Sequence, residues 1–329
     1  MRRWLFWFGI AISVVFLSLA LRGLKLDEFI RDIQQANLLW ILPGVALYFL
    51  AVGVRTWRWS YLLRPMKHLP APALFPVVVI GYMGNNIYPA RIGEILRAYV
   101  LRRNEGVPMS SSLATVLIER IMDGIVMLAF VLIGLPRVPN LSQAVVNGVI
   151  IAGGLFAIAT LAFFWLALYP HVADRLAHAV ITRIVPQRFQ QPLLGMTQKF
   201  VQGAQALRNP RGLLVIAAST VIVWLLETGK YWCVARAFDL GLPFDGLMLV
   251  NGVSNLFTII PGAPGAVGTF DAGGILGVTA LGVNATTAAA YVLTLHVVLW
   301  LPVTALGAYY MLREGLRWSD LQKAEEAVA

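Results

Sequence analysis

The chain is short of charge and nearly without cysteine. Only 13% of its 329 residues are Asp, Glu, Lys or Arg, where a soluble domain carries about 25%. A water-facing surface cannot be built from so few, so a soluble globular domain is excluded. The scarcity is greatest over residues 246–312, a stretch of 67 residues in which Asp271 is the sole formal charge. The single cysteine, Cys233, excludes an internal disulfide and leaves the redox compartment unread. The four histidines are scattered, with no H-E-x-x-H pair. There is no G-x-x-x-x-G-K-[ST] loop to cradle nucleotide phosphates, no G-x-S-x-G elbow and no Asp-x-Asp pair. Nothing therefore recommends a nucleotide, a metal or another cofactor, and no catalytic residue is assigned.

Apolar length is what the chain has instead. Hydrophobic residues make up 59% of it, in runs that reach the roughly 20 residues needed to cross a hydrocarbon core. Full spans are expected at 4–21, 38–62, 113–135, 145–169, 212–237 and 285–312. Two further apolar segments, 72–100 and 247–283, are interrupted near their middles by Pro and Gly. Both read as re-entrant helical hairpins, since non-helical backbone at membrane depth survives only where protein or a cavity protects it. An ordinary span kinked at each break is the alternative. The expected fold is all-α and polytopic, with six full spans and two hairpins. Residues 1–315 form one transmembrane domain and 316–329 a short polar tail.

Met1-Arg2-Arg3 precedes 18 uncharged residues. That run exceeds a signal-peptide core of about 7–15 residues and is read as a retained span. With the N-terminus in the cytoplasm, nineteen Lys and Arg fall in cytoplasmic segments, Arg55, Arg58 and Arg97 among them, against five outside. Orientation follows this bias, which places the protein in the inner (cytoplasmic) membrane with both termini cytoplasmic. It also accounts for the net charge of +10 without nucleic acid. Residues 171–211 form the longest polar connection, and its start has the spacing of a helix lying on the membrane surface.

The two broken segments are alike. The first reads Pro89-Ala90-Arg91-Ile92-Gly93 and the second Pro264-Gly265-Ala266-Val267-Gly268, after an earlier Pro261. Three full spans separate them, so the hairpins enter from opposite faces, the parity of an inverted repeat with substrate near the midplane. Pro89 ends one helix, and a second starting there points its free N–H groups into the break. Arg91, Glu94 and Arg97 then share one face. A helix start with two guanidiniums suits phosphate; the alternative is that the arginines neutralise Glu94 and reach the interface.

Glu119-Arg120-x-x-Asp123 lies inside an expected span. At 1.5 Å per residue, Asp123 sits roughly 16 Å in, near mid-membrane. Each such charge costs about 2.5–3.5 kcal/mol on insertion scales, which marks it as a functional candidate. Glu227 and Lys230, three apart, read as a self-sufficient pair, and His296 as a hydrogen-bonded packing residue.

Asn86-x-x-Pro89-x-Arg91-x-Gly93-Glu94-x-x-Arg97, then Glu119-Arg120-x-x-Asp123, then Pro264-Gly265-x-x-Gly268-x-x-Asp271, in this order, resemble the lysylphosphatidylglycerol synthase transmembrane-region family, a flippase-like group. The resemblance covers about residues 1–315. Asp271 stands where that family often has Glu. In its bifunctional members such a region is associated with moving a modified lipid to the outer leaflet, while a soluble C-terminal domain, missing from these 329 residues, performs the aminoacyl transfer. The resemblance therefore implies lipid translocation rather than synthesis. Asn86, Arg91, Glu94, Arg97, Glu119, Arg120, Asp123 and Asp271 are the expected substrate contacts. The expected partner is a membrane lipid with a phosphate-containing head group. An envelope-biogenesis enzyme or a second copy of the chain is the protein partner this class admits. The alternative function is a membrane enzyme or accessory subunit of lipid-linked glycan or glycolipid biosynthesis.

Overall fold

The computed structural model describes residues 3–88, 92–139, 143–184, 186–187, 190–191, 193–195 and 209–315. Among these there is no strand. The helices are α1 (Arg3–Ala20), α2 (Leu26–Gln35), α3 (Ile41–Leu63), α4 (Ala71–Ile87), α5 (Ile92–Glu105), α6 (Met109–Gly134), α7 (Gln143–Leu168), α8 (Pro170–Ile184), α9 (Pro210–Ala237), α10 (Phe244–Phe257), α11 (Thr269–Ala280) and α12 (Ala285–Arg313).

Apolar sequence drives these helices, and their starts are punctuated as sequence rules lead one to expect. At α9 the Asn209 side chain accepts from Arg211 N–H and Pro210 takes the first position. At α12 the Asn284 side chain accepts from Thr287 N–H. Both satisfy backbone donors that the first helical turn leaves open.

Among the described residues, four helical stretches are long and apolar enough to cross a membrane: Leu38–Leu63, Asn147–Leu168, Pro210–Ala237 and Ala285–Arg313. Helix α6 has 26 residues, ample for a crossing, but carries Glu119, Arg120 and Asp123. Helix α1 has 18.

The two broken segments are antiparallel hairpins. Along α4 and α5, Gly81 lies beside Arg97, and Gly84 beside Gly93. Along α10 and α11, Phe257 lies beside Gly273, Ser254 beside Gly274, and Val250 beside Gly277. The arms have 17 and 14 residues in the first hairpin, and 14 and 12 in the second. At 1.5 Å per residue they are about 18–26 Å long, short of a core about 30 Å thick. Gly93 makes the first hairpin possible. A Cβ there would lie 1.9 Å from the Gly81 carbonyl oxygen.

Helix α3 packs along α9, α6 along α10, and α12 along α4. One apolar core gathers Trp59, Leu62, Ile80, Met83 and Leu101; a second gathers Tyr231, Val250, Val278, Tyr291 and Leu295. Helix α7 leaves Ile150, Ile151, Leu155, Ile158 and Leu161 exposed, while Phe163, Phe164 and Ala167 near its end pack on the first core.

The expected charge distribution needs one correction. Arg55 and Arg58 are not loop charges: both lie inside α3 and are buried, as is Arg97 in α5. Their side chains face carboxylates on neighbouring helices, so they cannot report orientation. Setting these three aside leaves sixteen against five.

Candidate functional site: a buried charge network beside a two-part cavity

Helix periodicity brings the charges together. Arg55 and Arg58 are one turn apart on α3, Glu119 and Asp123 on α6, and Glu227 and Lys230 on α9, so each pair shares a face. Arg58 Nη1 donates to Asp123 Oδ1 at 2.9 Å and to Thr220 Oγ1 at 2.7 Å. Its Nε lies 3.5 Å from Glu119 Oε1. Arg55 reaches Asp123 Oδ2 at 3.4 Å and Glu227 Oε1 at 3.3 Å. Trp224 Nε1 also donates to Asp123 Oδ1, at 3.1 Å. Arg97 pairs with Glu119 and stacks 4.1 Å from the Trp59 ring centroid. The expected Glu227–Lys230 pair is present, but it is not self-sufficient, because Arg55 shares Glu227.

The last contacts are at the edge. Arg120 Nε lies 3.4 Å from Glu94 Oε1, and its Nη2 lies 3.5 Å from Asp123 Oδ2. Five cations (Arg55, Arg58, Arg97, Arg120, Lys230) thus meet four anions (Glu94, Glu119, Asp123, Glu227) among the described residues. One positive charge is left over. It is available where the network is open: the Arg120 and Glu94 side chains are 33% and 24% exposed, whereas those of Glu119, Asp123 and Arg58 are 1% exposed.

Arg120 borders two cavities. One, of about 460 Å³, is the more polar of the two and lies between Asn85, Asn86, Glu94 and the loop through Thr258, Pro261, Ala263 and Gly265. The other, of about 320 Å³, is an apolar slot between α6, α7 and α10, lined by Met127, Leu128, Val149, Phe156 and Leu256. Arg120, Asn255 and Ile259 border both. The arrangement offers a cation and polar backbone on one side and hydrocarbon on the other.

The second hairpin tip is shaped by its glycines. Gly268 has φ +87°, and a Cβ there would meet the Ser13 carbonyl oxygen at 2.5 Å. The turn at Pro264–Ala266 lies against α4, so the second tip meets the first hairpin's leading arm. Trp300 of α12 ties them, its Nε1 donating to the Asn86 carbonyl at 3.3 Å while its ring abuts Gly265.

The structure brings together Glu94, Arg97, Glu119, Arg120 and Asp123. Arg97, Glu119 and Asp123 are consumed by partners inside the protein. Asn86 borders the polar cavity, but its amide donates to Thr304 Oγ1 at 2.8 Å and to the Trp300 carbonyl at 3.3 Å. Asp271 stands elsewhere, its Oδ1 2.6 Å from His296 Nδ1 and its Oδ2 accepting from Gly268 N–H at 2.8 Å. Pro89 and Arg91 lie outside the described residues. Sequence reasoning missed Arg55 and Arg58 as members. The signal was available: two arginines one turn apart, well inside an apolar run.

The family model for the lysylphosphatidylglycerol synthase TM region matches residues 6–307. Among curated proteins, the chain is 24% identical to glycosyltransferase AglD of Haloferax volcanii over 80% of its own length, but it spans only 47% of that protein. It is 25% identical to a UPF0104 membrane protein of Methanothermobacter thermautotrophicus, covering 91% of the chain and 92% of the relative. A UPF0104 membrane protein of Methanocaldococcus jannaschii is 23% identical, covering 92% of each. No solved structure matches the chain.

Proposed function

The chain belongs to the lysylphosphatidylglycerol synthase transmembrane-region family of polytopic membrane proteins, and we propose that it moves a lipid with an anionic, phosphate-containing head group across the cytoplasmic membrane. The observation that carries this reading is the position of Arg120, the exposed corner of a network with one surplus positive charge, where it borders both a polar chamber and an apolar slot. An amphiphile fits that junction. A phosphate meets the guanidinium fork, the rest of the head group occupies the chamber, and tails leave through the slot into lipid. The short hairpins act as opposed re-entrant elements whose tips form the chamber at membrane depth, where open backbone is tolerated because it lines a cavity. The sequence carries no nucleotide-binding loop of the GxxxxGK type, so transport runs downhill or is coupled to an ion gradient.

A leaflet-specific lipid assay in proteoliposomes tests this. Arg120→Gln lowers the transport rate at least about tenfold, the worth of one charge-assisted hydrogen bond, while the protein stays folded because Asp123 keeps Arg55, Arg58 and Trp224. Arg120→Lys recovers only part, since an ammonium cannot bind in a fork. A wild-type rate for Arg120→Gln at equal protein level overturns the proposal.

The glycosyltransferase name of one relative favours a second reading, an accessory role in glycolipid assembly. In that case the lipid co-purifying in the cavity carries a sugar, which mass spectrometry of the extracted lipid reads directly.

A further inference from the structure

We infer that Asp271 and His296 form a binding site for a single proton, and that this proton latches the tip of the second hairpin against α12. The charge network does not include these residues, the position of Arg120 that carries the lipid reading does not depend on them, and they lie on different elements, 25 positions apart.

The argument is a count of hydrogens. His296 Nε2 lies 3.1 Å from the Gly265 carbonyl oxygen. A carbonyl only accepts, so Nε2 carries the hydrogen. The other ring nitrogen, Nδ1, lies 2.6 Å from Asp271 Oδ1. In a neutral imidazole that already has hydrogen on Nε2, Nδ1 is an acceptor, and an ionised carboxylate oxygen is also an acceptor. Two acceptors do not approach to 2.6 Å unless a proton lies between them. Whether it rides on nitrogen or oxygen, the pair holds one proton more than neutral histidine plus ionised aspartate. The remaining oxygen, Oδ2, accepts from Gly268 N–H at 2.8 Å, so the carboxyl group is fully committed.

Both ends of this chain of bonds grip one loop. Gly265 and Gly268 flank the positive-φ residue Ala266 (φ 58°), and Gly265 borders the polar cavity. When the proton leaves, His296 has one hydrogen for two acceptors: held on Nδ1 it still donates to Asp271 Oδ1 while Nε2 loses its bond to the Gly265 carbonyl, and held on Nε2 it leaves Nδ1 and Oδ1 to repel. Either way one of the two bonds is lost and the grip on the tip loosens. The proton thus fixes one wall of the chamber.

No neighbouring charge supplies an alternative partner among the described residues. Helix α1 presents Ser13, which binds Ala263 N–H, and it has no ionisable side chain here. The tip loop, 258–268, has none, and the closest ring is Phe270, 4.9 Å from His296. On α4, Tyr82 has Arg55, Arg120, Glu119 and Glu227, all members of the charge network, as its charged neighbours. On α10, Asp245 is at the far end with Arg137. On α2, Asp32 binds Thr287, nine residues before His296 and about 14 Å along α12; Lys25 and Glu28 pair with each other. On α3 and α9, Arg55, Arg58, Glu227 and Lys230 belong to the charge network. Tyr291 of α12 binds the Tyr231 carbonyl.

The test reads access to the chamber and needs no transported lipid, so it stands apart from the transport assay. Full-length protein in nanodiscs carries Cys233→Ala and Ala263→Cys, and is labelled with a membrane-impermeant maleimide between pH 5.5 and 8.5. Rates are divided by those of Gln34→Cys, an exposed site, to remove the pH dependence of the thiol itself. The relative rate should rise at least about fivefold toward high pH. Asp271→Asn should abolish the rise and hold the rate low throughout, because the Asn amide donates to Nδ1 without an extra proton. His296→Gln should be flat as well, since an amide holds no titrating proton. A flat profile in the unsubstituted pair overturns the inference by itself, even if both variants misfold. So does a rise that persists in folded Asp271→Asn.

Discussion

The first hairpin meets α6 through charge, with Arg97 on Glu119 and Glu94 on Arg120. The second meets the other half of the same helix through the absence of side chains. A Cβ on Gly252 would lie 2.9 Å from the Met127 carbonyl oxygen, and one on Gly134 would lie 2.5 Å from the Asp245 carbonyl oxygen. A single ion pair, Arg137 with Asp245 at 2.7 Å, sits at the exposed end of that second contact. Guanidiniums and carboxylates fix a register by direction and stay charged, because arginine does not lose its proton in proteins. Glycine contacts give closeness without direction. On the proposed reading, the directional charges of the first hairpin hold Arg120 of α6 in place for a ligand, and the second hairpin is the part that the inferred proton would free.

The contrast can be broken from either side. Arg97→Met strikes the ionic contact hardest. It leaves Glu119 buried with only a 3.5 Å approach from Arg58, and removing one partner of a buried pair costs about 3–5 kcal/mol. A thermal melt in detergent should show a large loss of stability or no folded protein; an unchanged melt would mean that the pair is not needed. Gly252→Val tests the close contact. Added carbons meet Val131 and Met127 below 3 Å, and overpacking of this kind costs about 1–3 kcal/mol. The smallest effect belongs to Arg137→Ala, since an exposed pair contributes about 0–1 kcal/mol and salt screens it. A loss above 2 kcal/mol there, in the same melt, would show the second hairpin to be held ionically after all.

Much of this was legible in order of sequence. The Pro and Gly breaks announced where the two apolar segments stop being continuous helix, because proline lacks a donor and glycine permits close or positive-φ backbone. Spacings of three and four residues announced the local faces of α6 and α9. The long-range partners were hidden. Asp123 is held by Arg58, 65 positions away, and no periodicity reaches across helices. Arg55 and Arg58 were misread because counting Lys and Arg toward one side assumes that they lie in loops. Asp271 and His296 each stood out as lone polar groups in apolar sequence, and only the fold shows that they answer each other.

Helix α7 closes one side of the apolar slot with Val149 and Phe156, and it rests on α6 where Phe156 meets Gly124 and Leu128 meets Gly153. Its outward isoleucines and leucines would glue it down in water. In hydrocarbon they do not, because lipid tails solvate them as well as protein does. Lifting the part of α7 beside the slot forfeits its dispersion contacts with α6 and no hydrophobic term, while Phe163, Phe164 and Ala167 hold its other end on the first core. Of the walls around the slot it is therefore the least costly to displace. If the proposed lipid reading holds, the bilayer's own tails would act as the slot's solvent, and a long-chained molecule would enter sideways between helices without crossing water.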